Sequence, residues 1–396
     1  QRQFPGSEPF WQLLARLFAA SWRFQCRQPV LPPRNLWDIG QLLTAIRPDT
    51  FITVPFALMT VGDALRLYGL YDNDRLRTFL DMQLKLYSQV DADETALLYA
   101  ATALSVSQAP QGLFHLKGSM QVLSDRLVEA LQRYGGQLHL RHTVEDVQIR
   151  SGSVAGITVR NQKTDETFCL PADEVVANVT AENLLGLVAD AEDLTTWQTV
   201  LLKNYRRRLD KLPAPSGAFV IYLGVDASAV PADCPPHLQF LYDYGGPISE
   251  NNSLFVSVSR PGDGRAPAGK ATIVASSFVE AAPWWRGDNA DYAARKEQYV
   301  RSAIARLSEY FDLGEATIVH AEAATPRTFA RFTARDRGSV GGVGQRLSTF
   351  GPFGFATRTP IDRLWLVGDS VHPGEGTAGV SYSAQAIVRQ IEAAVG

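Results

Sequence analysis

Apolar residues recur at helical spacing over the first third of this chain, and at alternate positions over much of the middle. Phe10–Arg27 sets Phe10, Leu14, Leu17, Phe18 and Trp22 on one side and Gln12, Arg16, Arg23 and Arg27 on another, which predicts an amphipathic helix. Pro29, Pro32 and Pro33 end it. Shorter helices are predicted over Trp37–Ile46, Thr60–Tyr68, Arg75–Ser88 and Thr95–Ser105, whereas Phe51–Met59, interrupted by Pro55, fits neither period. Gly118–Tyr134 carries Met120, Leu123, Leu127, Leu131 and Tyr134 along one side and is stopped by Gly135-Gly136, a helix with a glycine end. The period then shortens. Leu138, Leu140, Val144, Val147 and Ile149 alternate, Ser151-Gly152-Ser153 turns the chain into Val154–Arg160, and Thr167–Leu170 and Asp173–Asn178 follow as strands.

Ala181–Leu212 reads as one helix ending in the basic cluster Lys203, Arg206, Arg207, Arg208 and Lys211. Strands are predicted over Ser216–Val225, Gln239–Tyr244, Ser253–Ser259 and Ala271–Phe278, then a helix over Ala290–Phe311 and a strand over Ala316–Glu322. Strands packed on helices without βα alternation describe an α+β domain. Arg327, Arg331 and Arg335 would line one face if their segment were helical. Near the end, Leu364–Val367 is a short apolar run, and three glycines and a proline follow Asp369. Val380, Ala384, Ile387, Val388 and Ile391 then recur at helical spacing. The reading is strand, Gly-rich loop, helix. Free N–H groups at that helix start suit an anionic or electron-rich group, and a tight turn with no ligand fits the spacing equally well. Gly341–Gly344 lacks the G-x-G-x-x-G spacing, the leading strand and the apolar helix of a dinucleotide fingerprint.

With 396 residues, 45% of them hydrophobic, the chain can bury a large core in two domains. A net charge of −3 gives no nucleic-acid signature. Cys26, Cys169 and Cys234 fit no zinc spacing, so no metal is expected, and buried or idle thiols point to a reducing, cytoplasmic compartment. The uncharged run Thr50–Gly62, 13 residues long, falls short of the ~20 that span a bilayer. The Phe10–Arg27 helix either sets its apolar side on the core or lies in a membrane interface, and the cluster at 203–211 is either solvated or set against anionic lipid. His115 and Lys117 are given no role.

The C-terminal residues also carry a family resemblance. Gly368-Asp369, His372-Pro-Gly-Glu-Gly-Thr-Ala-Gly379 and Ser381-Tyr-Ser-Ala384 resemble the C-terminal flavin motif of the carotenoid desaturase and isomerase flavoproteins, within the amine-oxidase-like FAD group. The wording is closest to the bacterial C-3′,4′ desaturases. The resemblance implies that Asp369 bonds the ribityl chain of FAD and that the helix start at Thr377–Gly379 faces the N1–C2=O edge of the flavin. It implies cofactor contacts at Val144 (through its backbone), Gly368, Asp369, His372, Gly374, Gly376, Thr377, Ala378 and Gly379. His372 and Glu375, beside that flavin, are candidates for proton handling or for shaping the loop.

The implied fold is α/β: an FAD-binding, doubly wound (Rossmann-like) domain, here incomplete, with an α+β substrate domain. Residues 1–110 would be the helical part of the substrate domain and 111–188 the second FAD-binding segment. Residues 189–335 would be the α+β substrate domain and 336–396 the C-terminal FAD-binding segment. The first FAD-binding segment, with its Gly-rich pyrophosphate turn, is expected to be missing, which implies poor FAD affinity, poor folding and no activity for this stretch alone. The expected function is FAD-dependent carotenoid desaturation, with C-3′,4′ as the expected bond, in a cavity of aromatic and aliphatic side chains. The expected partners are a carotenoid, a membrane surface met peripherally, and an electron acceptor such as a quinone or oxygen. The alternatives are a carotenoid cis–trans isomerase using reduced FAD, with an amine or protoporphyrinogen oxidase further off, and a flavin-free lipid-binding escort protein.

Overall fold

The computed structural model of the chain describes residues 3–106, 114 and 116–395. His115 and most of the 111–115 stretch that leads into the Gly118–Tyr134 helix lie outside the described residues. In chain order the helices and strands begin with α1 (Glu8–Gln25), α2 (Leu36–Ala45), α3 (Val61–Leu67), α4 (Asp74–Ser88), α5 (Leu97–Val106) and α6 (Gln121–Arg133). Next come β1 (His142–Arg150), β2 (Ser153–Asn161), β3 (Thr167–Pro171), β4 (Val175–Ala177), α7 (Ala181–Leu187) and α8 (Thr196–Leu209). The second half holds β5 (Ser216–Asp226), β6 (His237–Leu241), β7 (Ser253–Val258), β8 (Lys270–Glu280), α9 (Asn289–Leu307), β9 (Ile318–Ala324), α10 (Pro326–Thr333), β10 (Leu364–Leu366) and α11 (Gly376–Val395).

The chain divides into two units. One joins Gln1–Gly112, Arg141–Pro215 and Gly341–Gly396, and the other joins Leu113–Leu140 and Ser216–Val340. The helical segment expected beside the α+β sheet thus groups with the C-terminal loop, and α6 groups with the sheet. α1, α3, α4 and α5 bury Phe10, Leu14 and Leu17, Leu65, Leu76, Leu80, Leu84 and Leu97 in one cluster of their own. α1 therefore turns its apolar side into the core. The segment that fitted neither period is a 3-10 turn, Pro48–Phe56, which leaves Phe51, Ile52 and Val54 exposed. Thr60 caps α3 by accepting from the Asp63 N–H while the Asp63 carboxylate accepts from the Thr60 N–H.

In the same unit β1, β2 and β3 form an antiparallel sheet, and β10 pairs with β4 in parallel, Leu364 opposite Val175 and Leu366 opposite Ala177. β1 starts only at His142, after Arg141 in the left-handed region (φ 58°), so Leu138 and Leu140 stay outside it. The predicted Ala181–Leu212 helix is two helices. The acidic stretch between them ends at Thr195, whose side chain accepts from the Gln198 N–H while Gln198 Oε1 accepts from the Thr195 N–H, starting α8 afresh.

The other unit is built on an antiparallel sheet in the order β6-β7-β8-β5-β9. β5 and β8 pair along their whole length, from Ser216 opposite Glu280 to Asp226 opposite Lys270. Phe219, Ile221, Leu223 and Val225 of β5 and Leu254, Val256 and Val258 of β7 face one core with Trp284 and, from α9, Ala303 and Leu307. Ala218, Val220 and Ala324 face the opposite side, against Phe329 of α10. α10 stops at Thr333, with Ala334 left-handed (φ 55°), so Arg335 does not share the helical face of Arg327 and Arg331. Cys26 and Cys169 are exposed rather than buried.

Candidate functional site

β10 is too short and too apolar to do anything but position the turn after it: Leu364, Trp365 and Leu366 are all buried. Val367 adds one more ladder bond, its N–H donating to the Ala177 carbonyl at 3.0 Å. The chain then turns sharply at Gly368, whose φ of 109° and whose closeness to the Asn178 side chain leave no room for a Cβ. The Gly368 N–H donates to Ser383 Oγ at 3.2 Å, tying the end of the strand to the middle of α11. Two residues on, Ser370 Oγ accepts from the Ala181 N–H at 3.3 Å at the start of α7.

Asp369 itself is half-buried. Its backbone is met by Gly342, where a Cβ would lie 2.0 Å from the Asp369 carbonyl oxygen. Gly342 stands where two stretches of backbone touch, and a Cβ on Gly341 would meet the Gln89 and Glu375 side chains. The loop curls back on itself, and a Cβ on Gly379 would lie 2.4 Å from the Gly374 carbonyl oxygen. α11 begins at Gly376, so Thr377, Ala378 and Gly379 belong to its first turn, where N–H groups lack partners within the helix. Gly376, Thr377 and Ala378 are exposed while Gly379 is buried. A carboxylate on the preceding strand end and an open helix start therefore lie within one loop, an arrangement able to take polyol hydroxyls at the first and negative charge at the second.

His372 and Glu375 sit on the inner side of this loop. His372 is 6% exposed. Its Nε2 is 3.5 Å from Gln25 Nε2, its Nδ1 has no hydrogen-bond partner, and burial lowers its pKa to about 4. Its ring lies 5.8 Å from Phe350 and 6.3 Å from Tyr382, and Phe350 in turn is 5.7 Å from Tyr99. Glu375 Oε2 accepts from Gln89 Nε2 at 2.9 Å. Burial, then the charge of Glu375, raises the Tyr99 pKa.

The structure brings Gly368, Asp369, His372, Gly374, Glu375, Gly376, Thr377, Ala378 and Gly379 together in one loop and helix start. Val144 sits apart in β1, opposite Val159, in the sheet that reaches β10's approach through the Val154 N–H bond to the Asp362 carbonyl at 3.0 Å. Gln89 and Tyr99 carried no signal of this site in the sequence beyond one. Gln89 follows α4 with φ of 68°, and a polar residue just past an apolar helix was that signal.

No protein-family profile matches the chain. It is 27% identical over 358 residues to prolycopene isomerase 2, chloroplastic, of an Oncidium hybrid cultivar, which covers 88% of this chain and 58% of the isomerase. It is 25% identical over 383 residues to the neurosporene-forming phytoene desaturase of Rhodobacter capsulatus, covering 91% of this chain and 67% of that one. The chain thus spans little more than half the length of the isomerase. Among solved structures, an oxidoreductase from Methanosarcina mazei superposes with a TM-score of 0.59 at 16% identity, over 86% of this chain and 71% of that chain. The fold is the mixed α/β fold of such oxidoreductases, and these two relatives in sequence are an isomerase and a desaturase.

Proposed function

We propose that this protein is a FAD-dependent carotenoid enzyme, a desaturase acting at the C-3′,4′ position. The observation that carries this reading is the loop from Gly368 to Gly379, which joins half-buried Asp369 to the exposed first turn of α11. Bound there, FAD would supply the acceptor for a hydride taken from the polyene. Asp369 would hold the ribityl hydroxyls, and Gly376, Thr377 and Ala378 would set their N–H groups against the pyrimidine edge of the ring, where reduction places negative charge. Gly342 and Gly379 keep the backbone close enough for that loop to hold its shape. The rings of Tyr99, Phe350, His372 and Tyr382 follow one another beside the loop and suit a flat apolar substrate. A buried imidazole with a pKa of about 4 is neutral at pH 7, which favours loop shaping over proton storage for His372.

Cis–trans isomerisation is the second reading, favoured by the prolycopene isomerase relative. Recording the flavin spectrum of the purified full-length protein, then incubating it with a monohydroxylated γ-carotene-type substrate under oxidising and reducing conditions, separates the two. Absorption moving to longer wavelength with an added double bond supports desaturation, and geometric isomers alone support isomerisation. A colourless protein with an intact fold would sink both and leave the flavin-free lipid carrier.

No described helix is long and apolar enough to cross a membrane. We place the protein peripherally on a membrane, from which a carotenoid would be drawn with a quinone or oxygen as acceptor. The surface favoured for this is Leu36, Leu43, Phe51, Ile52, Val54 and Leu58, all exposed, rather than the apolar side of α1, which is buried. Flotation with liposomes should weaken several-fold in Leu43→Ser/Phe51→Ser, and unchanged flotation would refute the assignment.

A further inference from the structure

A cavity of about 600 Å³ lies against α8, at the approach to β10 rather than at the Gly368 loop. That volume is within the ~300–1,000 Å³ of small-molecule sites. Arg34, Arg208 and Arg358 line it, with Asp362 as the single carboxylate among the lining residues.

The three guanidinium groups are held differently. Arg208 donates to the carbonyls of Gly354 at 3.1 Å and Ser348 at 3.0 Å and to that of Phe353, and lies 4.2 Å from the Phe355 ring. It is thereby locked in place, with no carboxylate partner among the described residues. Arg358 gives its Nε to Asp38 at 3.2 Å and lies over Trp365. The remaining acceptors of Asp38 are taken by the Arg34 N–H and by Gln390 Nε2. The Arg34 side chain is exposed and has no carboxylate partner among the described residues.

A second observation concerns a residue of the same cavity. Tyr205 lines the cavity, and its hydroxyl is buried with no hydrogen-bond partner. A buried hydroxyl in a native structure is normally paired with a protein group, a water or an ion. Burial and the neighbouring charge of Arg34 both press on Arg208, holding its pKa below the usual guanidinium range. Arg34 and Arg208 both line the cavity and act on each other and on Tyr205 through their charges, which suits an acceptor-rich dianion. A lone carboxylate would satisfy one guanidinium and leave the other unanswered. Trp197, whose ring is largely exposed, and Leu201 supply an apolar wall.

We propose that this cavity binds a phosphate ester, its phosphate between Arg34, Arg208 and the Tyr205 hydroxyl and its apolar body against Trp197 and Leu201. The phosphate belongs to a lipid headgroup or to a soluble ester, and two arms of one experiment separate them. In the first, the full-length protein is titrated calorimetrically with glycerol 3-phosphate. Saturable binding is expected, weakened by about tenfold or more in Arg34→Gln, which removes a charge-assisted pair, and several-fold in Tyr205→Phe. In the second, flotation is compared on phosphatidylcholine vesicles with and without phosphatidic acid. Recruitment that needs both phosphatidic acid and Arg34 assigns the phosphate to lipid. Soluble binding without Arg34-dependent recruitment assigns it to a soluble ester.

Arg34 is exposed and Tyr205→Phe keeps the ring, so both variants should melt like the parent. Arg206→Gln/Arg207→Gln removes basic charge from the exposed side of α8 and should leave binding intact. The proposal is overturned if neither ligand binds, if Arg34→Gln and Tyr205→Phe bind as the parent does, or if the Arg206/Arg207 variant loses as much. Flavin absorbance should be the same in all these proteins, so failure here stays distinct from failure of the flavin reading.

Discussion

Along β5 and β7 the inward positions are aliphatic or aromatic, and Phe219, Ile221, Leu254 and Val256 reach zero exposure. The unit that carries the Gly368 loop buries polar groups as completely: Asp38, Ser383 and Gln390 are also at zero. There Thr357 Oγ1 donates to Gln390 Oε1 at 2.6 Å, Gln390 Nε2 donates to Asp38, and Asp38 pairs with Arg358. The sheet unit is held by area removed from water, which is non-directional and forgiving of shape. The loop-bearing unit has apolar clusters too, but around Asp38 it adds partners that must all be present, because a buried polar group left alone costs what its pairing had offset. One region should resist changes of polarity least at its centre, and the other should resist the loss of a single partner least.

The largest expected effect is in the sheet. Phe219→Ala, which empties a site between Trp284 and Tyr299, should cost about 3–5 kcal/mol in chemical denaturation. A loss below about 1 kcal/mol would show that this core collapses onto cavities. Next comes the polar side: Asp38→Ala strands Arg358 and should cost about 3 kcal/mol. Pairing it with Arg358→Met should recover much of that, and strict additivity of the two would break the contrast between the units.

A pH effect of at most about 3 kcal/mol is expected from His372. Its folded pKa of about 4 lies below the ordinary histidine value of 6.5, so between those values the unfolded chain binds the proton and the native state does not. Its contribution is therefore complete above pH 6.5 and lost as the pH falls toward 4. Thermal melts of the parent and His372→Gln across that window should converge at the acid end, and parallel curves would refute the assignment. The smallest effect is local. Gly342→Ala should push the loop off Asp369 and weaken flavin binding about tenfold, or roughly 1.4 kcal/mol, with little change in melting of the sheet unit. Unchanged affinity would mean that the close approach has no bearing on the site.

The same contrast explains what could be read from sequence. Ser216–Val225 is legible as a strand because Phe219, Ile221, Leu223 and Val225 alternate toward one core, and period-two patterning records burial directly. The strand, loop and helix at 364–395 were legible because glycines and the Gly-Asp motif are local in sequence. The polar core was not. Asp38 and Gln390 are 352 positions apart, and neither a helical Asp nor a helical Gln announces a partner at that distance. Arg208 looked like part of a solvated basic face, yet its guanidinium is folded back onto three carbonyls of the 348–354 turn. The division of Ala181–Leu212 into two helices turned on one cap at Thr195, a weaker signal than the helical composition around it. The exposed apolar stripe of α6, with Leu123, Leu127 and Leu131 open to solvent, has the period that a buried face would have.

The meeting of Gly342 with Asp369 reaches further along the chain than the loop. Three residues on, the Gln345 N–H donates to the Ser88 carbonyl at 3.0 Å, and the Gln345 carbonyl accepts from the Ala96 N–H at 2.9 Å. Whatever seats itself on Asp369 therefore also quiets the end of α4 and the beginning of α5. Slower deuterium uptake at 88–97 would report that occupancy from a distance, without any probe on the loop itself.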